Sequence, residues 1–310
     1  MSEDLAKPDA VATDRLLQPV GRPLLVFAHQ DDETVVAGSI RRILRGGGAR
    51  PTFLWWTNGD GLAPGSGMHP AAYARMRMDE ATASVVALGG DPSAKVDLGA
   101  SEIENYRRLT HVAAGGTLGA RAVDYFLAEA ERVEAAVRHA DPDRVFLLAW
   151  QGGHPEHDLV HLMTVRAIRK LRLETRRPIP IVHCPAYEYV IACALRFKPW
   201  FRGDVRRVEL DDDQRAAKRR SFEAYVSQRG LFEHFERVVR TLGGVSRLVG
   251  RPFTVEDYLA TEVFGVVEPD HDYTASSHRF ERLNYMLDDF EGIPIRFDRM
   301  IRPLARELLR

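Results

Sequence analysis

Apolar and polar positions alternate along this chain in blocks that change period. Pro23-Leu24-Leu25-Val26-Phe27 is a continuous apolar run and predicts a short buried strand. Thr34 to Leu44 has helical spacing and stops at Gly46-Gly47-Gly48. Thr52–Thr57 predicts a second strand that breaks at Asn58-Gly59-Asp60-Gly61, and Tyr73 to Leu88 a helix closed by Gly89-Gly90. A short third strand is expected at Lys95–Leu98, a helix over Ala122–His139, a fourth strand over Arg144–Trp150, a helix over Leu159–Leu173 and a fifth strand at Ile179–Cys184. Residues 100–118 carry little apolar period and are expected to form a long loop.

Strands alternating with helices at this spacing imply βαβ units and a mostly parallel α/β sheet. Right-handed crossovers in the order 3-2-1-4-5 would place strands one and four side by side, where the order reverses. Beyond residue 200 the pattern loosens: Val205–Leu210 is a candidate strand, Asp212–Ser227 and Leu231–Leu242 are candidate helices, and Tyr258–Val267 is mixed. The expected organisation is a loosely ordered arm over 1–22, a single domain over 23–270 and a C-terminal extension over 271–310.

Composition narrows the function classes. At 310 residues and 45% hydrophobic content the chain can bury a large core, and 43 basic against 44 acidic residues imply no long-range field for nucleic acid or an anionic membrane. Two cysteines, Cys184 and Cys193, without CxxC spacing, are too sparse for a disulfide framework. No signal peptide and no membrane-spanning run is evident, so a cytoplasmic protein is expected. A homo-oligomer is compatible with all of this.

The chemistry sits at two strand ends. Ala28-His29-Gln30-Asp31-Asp32-Glu33 follows strand one, and Gln151-Gly152-Gly153-His154-Pro155-Glu156-His157-Asp158 follows strand four. If those strands are neighbours, both loops open into one crevice. His29, Asp32 and His157 then form a nitrogen/oxygen set suited to a catalytic zinc with open positions. Iron(II) accepts the same set, so ligand type alone leaves the metal open. Asp31 is the candidate general base, and His154, one turn before His157, the candidate proton donor or oxyanion partner. A dinucleotide-binding glycine fingerprint is missing from the first strand-to-helix turn, and neither GxxxxGK[ST] nor GxSxG occurs.

These segments resemble the zinc-dependent deacetylases of the PIG-L/LmbE type, which remove N-acetyl groups from amino sugars. Ala28-His29-Gln30-Asp31-Asp32-Glu33 resembles the family's AHPDDE motif, with Gln30 in place of proline; His154-Pro155-Glu156-His157 resembles its HPDH motif. Weaker likenesses follow at Thr57-Asn58-Gly59-Asp60, Arg77-Met78-Asp79-Glu80, Lys218 through Tyr225-Val226-Ser227-Gln228, and Ala260-Thr261-Glu262-Val263-Phe264. The resemblance implies a Rossmann-like three-layer fold with zinc on His29, Asp32 and His157. It also implies Asp31 as base and His154 assisting the tetrahedral intermediate. It would put Arg77 on the sugar, the alternative being a helix-surface salt bridge to Glu80. Asp60 and Glu104, from the loops at 58–71 and 100–118, are the further candidate substrate-binding residues. Some relatives carry a tyrosine where Gly152 stands, so its oxyanion role does not carry over.

The expected substrate is a small N-acetylated amino sugar or glycoside. An amidase acting on a thiol-sugar conjugate and a metal-stabilised binding module without turnover are the alternatives. Trp55, Trp56 and Tyr73 could stack on a sugar ring, although at their spacing core positions are the commoner outcome.

Overall fold

The structure is a computed structural model that describes residues 16–186, 196–197, 201, 203–248, 254–266, 271–275 and 284–310. Its strands are β1 (Pro23–Phe27), β2 (Thr52–Thr57), β3 (Lys95–Ala100), β4 (Arg144–Leu148), β5 (Ile181–Cys184), β6 (Asp204–Glu209), β7 (Thr261–Val266), β8 (Asn284–Phe290) and β9 (Ile293–Arg296). The first seven form one sheet in the order β3-β2-β1-β4-β5-β7-β6. Five strands are parallel, and the last two join antiparallel at the β5 edge. The expected 3-2-1-4-5 order is therefore present, with β1 and β4 in register from Pro23 opposite Arg144 to Val26 opposite Leu147.

Every residue of β1 and β4 is buried, and apart from Arg144 at the start of β4 both are unbroken apolar runs. The longer helices are α1 (Ala37–Arg45), α2 (Pro70–Ala87), α3 (Glu102–Ala114), α4 (Gly116–Ala140), α5 (Pro155–Thr175), α6 (Asp212–Ala224) and α7 (Arg229–Leu248), with short α8 (Val255–Ala260) and α9 (Arg302–Leu308). Helices α1, α2 and α6 pack together on one side of the sheet, and α3, α4, α5 and α9 on the other. This is the expected three-layer arrangement. No helix among the described residues is long and apolar enough to cross a membrane.

The segment expected to be a loop over 100–118 is instead α3 and the start of α4. Ser101 caps α3 by accepting the Glu104 N–H at 3.2 Å. Its inward face includes Asn105 and Thr110 besides Tyr106, Leu109 and Val112, so the helical period is masked in an apolar count. The helix expected at Thr34 begins as a 3-10 turn over Asp32–Val36 before α1. Trp55 and Trp56 are fully buried core residues, and the Trp56 indole donates to Glu129 at 3.0 Å. Cys184 is buried, whereas Cys193 lies outside the described residues.

Residues 284–308 pack back onto the domain. Ile295, Phe297, Met300, Ile301, Leu304 and Leu308 are buried in the same core as β1 and β4, and α9 lies against α4 and α5. At the other end, residues 1–15 lie outside the description, Leu17 is buried, and Val20–Gly21 pairs with Gly48–Ala49.

Two buried histidines join α5 to β5. The His161 Nδ1–H donates to the Leu148 carbonyl at 2.7 Å, and Nε2 accepts from the Tyr273 hydroxyl at 3.2 Å. The His183 ring lies 4.7 Å from that of His161. Burial pushes His161 down to about 3 and His183 well below its ordinary value, so both are neutral when folded. In the unfolded chain they take up protons near pH 6.5. Their stabilising contribution is therefore complete above about pH 6.5 and is lost as pH falls toward the folded values, at about 1.4 kcal/mol per pH unit per histidine. Urea unfolding of His161→Gln between pH 7 and 5 is expected to show a shallower pH slope than the parent protein. An unchanged slope would remove His161 as a contributor.

Candidate active site

The turn after β1 folds inward because its carboxylates have buried partners. Asp32 accepts the backbone N–H groups of Ala28 and His29 at 3.1 and 2.8 Å, closing the turn on itself. Glu33 is fully buried, accepts the hydroxyls of Ser84 and Tyr225 at 2.5 Å each, and thereby fastens the turn to α2 and to the end of α6. Asp31 between them has φ of 114°, a left-handed conformation that costs a non-glycine residue of order 1–3 kcal/mol. Gln30, in the proline position, is buried and donates through Nε2 to the Thr57 carbonyl at 2.8 Å. Gly59 (φ +77°) leaves room for it, since a Cβ there would lie 2.4 Å from Gln30 Oε1.

Because β1 and β4 are neighbours, His157 at the start of α5 meets this turn. Its Nε2 lies 3.2 Å from His29 Nδ1 and 3.2 Å from an Asp32 oxygen, and His29 Nδ1 is 3.5 Å from the other Asp32 oxygen. Ligand atoms around a tetrahedral zinc, with bonds of about 2.0–2.1 Å, are spaced by about 3.3–3.4 Å. The two nitrogens and the Asp32 carboxylate, which turns one oxygen to each imidazole, lie at separations of this order, and two imidazoles with a carboxylate suit zinc or iron(II); among the described residues His29, His154 and His157, and His29, Glu102 and Glu156, also bring ligand atoms within 4.8 Å of one another. Burial pushes Asp32 up, but His157 and His29 outweigh it and hold the carboxyl well below its usual range.

The remaining groups hold these side chains in place. Glu156 accepts the His29 Nε2–H at 2.9 Å, and although burial opposes it, the carboxylates of Glu102, Asp32 and Glu156 hold the His29 pKa well above its ordinary value; a metal on Nδ1 would take the place of the second proton. Asn105 Nδ2 donates to Glu156 at 2.7 Å and its oxygen accepts the Tyr125 hydroxyl at 2.8 Å. Asp31 is held by Arg77 at 3.0 Å; Arg77 also bonds Glu80, the Ser227 hydroxyl and the Gln30 carbonyl. Burial raises Asp31 to about 7, with Arg77 opposing and Asp32 adding to the rise. His154 caps α5: its Nδ1 accepts the Glu156 N–H, so Nε2 carries the proton, 3.0 Å from the Tyr106 hydroxyl oxygen. Burial, with His29 and His157 nearby, keeps His154 well below its ordinary pKa and neutral.

A cleft of about 260 Å³ opens over His29, Asp31, Arg77 and His154. Arg77, expected either on the sugar or on Glu80, lines it while buried in a network that includes both Asp31 and Glu80. Asp60 and Glu104 do not enter it. Asp60 accepts the Glu102 N–H at 2.8 Å and the Ser101 hydroxyl at 2.7 Å, so its carboxylate serves the N-terminus of α3. Glu104 pairs on the outer face of α3 with Arg107 and Arg108. The acid that α3 turns to the cleft is Glu102, raised to about 8 by burial, with His29 opposing and Glu156 adding to the rise. Glu102, Asn105 and Glu156 are given no role by the sequence pattern; a capped helix at Ser101-Glu102-Ile103-Glu104 was the available signal for the first two.

The weaker sequence likenesses converge behind the site. Glu80 accepts the Ser227 N–H and hydroxyl at 2.7 and 2.6 Å, and Gln228 donates to the Tyr73 hydroxyl at 3.0 Å. Lys218 and Glu262 form a buried ion pair at 2.7 Å, and Glu262 also accepts the Gly38 and Ser39 N–H groups that open α1.

Comparison with known proteins gives one family. Residues 24–168 match the PIG-L model, described as GlcNAc-PI de-N-acetylase. No curated protein matches. Among solved structures the chain is similar to the A40926 pseudoaglycone deacetylase Dbv21 (18% identity, TM-score 0.55, 81% of this chain and 99% of that one). It is also similar to a deacetylase of the teicoplanin biosynthesis pathway (17%, 0.54, 81% and 100%). A third similar structure is GalB, the 4-carboxy-2-hydroxymuconate hydratase of Pseudomonas putida KT2440 (16%, 0.50, 81% and 97%). At these identities the likeness is one of fold.

If Glu156 sets the orientation of His29, Glu156→Gln should weaken zinc binding by about 10–100-fold while the fold persists. Competition with a chromophoric chelator, alongside far-UV circular dichroism, measures both. Undiminished affinity would show that His29 does not need its carboxylate partner.

Proposed function

We propose, for a chain whose residues 24–168 belong to the PIG-L family, a metal-dependent N-deacetylase that releases acetate from an N-acetylated amino sugar or glycoside. The observation that carries this function is the meeting of His29 Nδ1, the Asp32 carboxylate and His157 Nε2 at 3.2–3.5 Å, with His29 and the neighbouring Asp31 lining a cleft. Zinc bound by these three residues would lower the pKa of water and polarise the amide carbonyl. Two similar folds are deacetylases by name, which agrees with the family description.

The chain's own groups divide the proton work. Asp31, fixed by Arg77, takes a proton from the attacking water. The same proton then goes to the departing nitrogen as the carbon–nitrogen bond breaks, giving acetate and a free amine. Neutral His154 offers its Nε2–H to the carbonyl oxygen as negative charge gathers there. Glu102, on the cleft wall, supplies a hydrogen-bonding group for the sugar.

The hydratase among the similar folds supports a second reading, addition of water to a carbon–carbon double bond, which yields no acetate. Hydrolysis of a larger acyl group from a thiol-sugar conjugate would also yield none. Purified protein incubated with a panel of N-acetylated sugars is expected to contain about one divalent metal per chain and to release acetate and amine in equal amounts. Asp31→Asn should keep its metal and lose about 10²–10⁴-fold in turnover, whereas His157→Ala should lose both. Full activity in a strong chelator would overturn metal dependence. Loss of metal from Asp31→Asn as readily as from His157→Ala would make Asp31 a ligand rather than the base.

A further inference from the structure

Asn105 is an odd residue for the inward face of a helix. It is 0% exposed, yet both of its side-chain bonds leave α3. Thr110, the other polar residue of that face, returns its hydroxyl to the Arg107 carbonyl of its own helix at 2.8 Å. The Asn105 amide nitrogen instead donates to Glu156 Oε1 at 2.7 Å, and its oxygen accepts the Tyr125 hydroxyl at 2.8 Å. Asparagine is also a poorer helix former than a leucine of similar size. The amide is there for its partners.

Those partners lead to the ligand set. Glu156 accepts the His29 Nε2–H through Oε2 and the Asn105 amide through Oε1, so both carboxylate oxygens are held by N–H donors. A glutamate carboxylate turns easily about its last bond when one oxygen is held, because that torsion is broad. Holding the second oxygen stops the rotation and fixes the acceptor on which the His29 ring is hung.

The amide itself has a similar freedom, since its oxygen and nitrogen ends are close in shape. Reversed, it would set Oδ1 against Glu156 Oε1, acceptor against acceptor. Tyr125 opposes that reversal by donating to Oδ1. Burial pushes the Tyr125 hydroxyl above its ordinary pKa, with Glu129 and Glu104 adding to the rise, so it keeps its proton. Arg108 lies over the Tyr125 ring, 5.4 Å from its centroid. Four elements thus supply one file of side chains: Tyr125 from α4, Asn105 from α3, Glu156 from α5 and His29 after β1.

With the metal site of the function above as premise, we propose that Asn105 and Tyr125 are positioning residues for the metal. Tyr125 fixes which end of the Asn105 amide meets Glu156, and Asn105 fixes the rotation of Glu156 and so the aim of the His29 ring. Metal affinity is thereby set in part by a tyrosine that does not line the cleft.

Zinc affinity, read by competition with a chromophoric chelator, tests this for Tyr125→Phe and Asn105→Leu, each alone, together and in a Glu156→Gln background. Urea midpoints and the His29 ring N–H resonance are measured on the same proteins. Asn105→Leu is expected to weaken zinc binding about 10–100-fold and Tyr125→Phe about 3–10-fold. Adding Tyr125→Phe to Asn105→Leu should cost nothing more, nor should either add to Glu156→Gln, because each acts through the next. The His29 ring N–H signal should move in Tyr125→Phe, although the two side chains are not bonded to each other. Effects that simply add would overturn the proposal. So would a lowered urea midpoint with zinc affinity unchanged, which is the mark of packing alone. Tyr125→Phe removes one hydroxyl from a half-buried ring and carries the test if Asn105→Leu does not fold. A parent protein that takes up no zinc would overturn the metal-dependent function. The His29 signal then decides the positioning by itself: movement in Tyr125→Phe supports it, and a fixed signal overturns it.

Discussion

Parallel pairing of β1 with β4 is the constraint on which the rest of the site depends. Residues 29 and 157 are far apart in sequence, and no local turn could bring their imidazoles to 3.2 Å. Adjacent parallel strands do so because both end at the same edge of the sheet, and the loops that leave those ends diverge to opposite faces. The crevice between them is a product of topology. Its chemistry is a product of what the two loops carry.

Those loops carry more charge than a buried turn tolerates unaided, and the surrounding helices are arranged to compensate. Each buried carboxylate is also a fastening. Glu33 joins the first turn to α2 and Tyr225, Glu80 joins α2 to the turn at Ser227, and Glu262 joins β7 directly to the start of α1 and, through Lys218, to α6. Removing one partner of such a pair leaves a desolvated charge, with costs of about 3–5 kcal/mol for a buried ion pair. Strain at Asp31, with its left-handed backbone, persists because these fastenings over-determine the turn.

Much of this was legible in the sequence. Buried parallel strands are continuous apolar runs, so β1, β2 and β4 stood out, and the strand order brought His29 and His157 together before any coordinates. Helix α3 did not stand out, because part of its inward face serves the site instead of the core: Asn105 contacts Glu156, and Glu102 faces the cleft. Once 100–118 is taken as a loop, Glu102 and Glu104 are interchangeable. On a helix they are about 200° apart, and only one can face inward. Asp60 was a similar case, since a carboxylate near a glycine turn looks like a substrate contact until the helix it caps is known. Glu156 stands in the sequence only as part of the His154–His157 segment, and its bond to His29 becomes visible only when the sheet is assembled.

Tyr285 donates its hydroxyl to Asp158 at 2.8 Å, and Asp158 also accepts the Gly152 N–H, so a late strand steadies the loop that presents His154 and His157. Synthesis proceeds from the N-terminus, and the two histidine loops leave the ribosome more than a hundred residues before this tyrosine. A chain emerging from the tunnel can pair β1 with β4 and bring His29 and His157 together early. It acquires the bond that braces the loop of His154 and His157 only when β8 is made. The brace on the two-histidine loop therefore arrives well after the strands that bring the two imidazoles together.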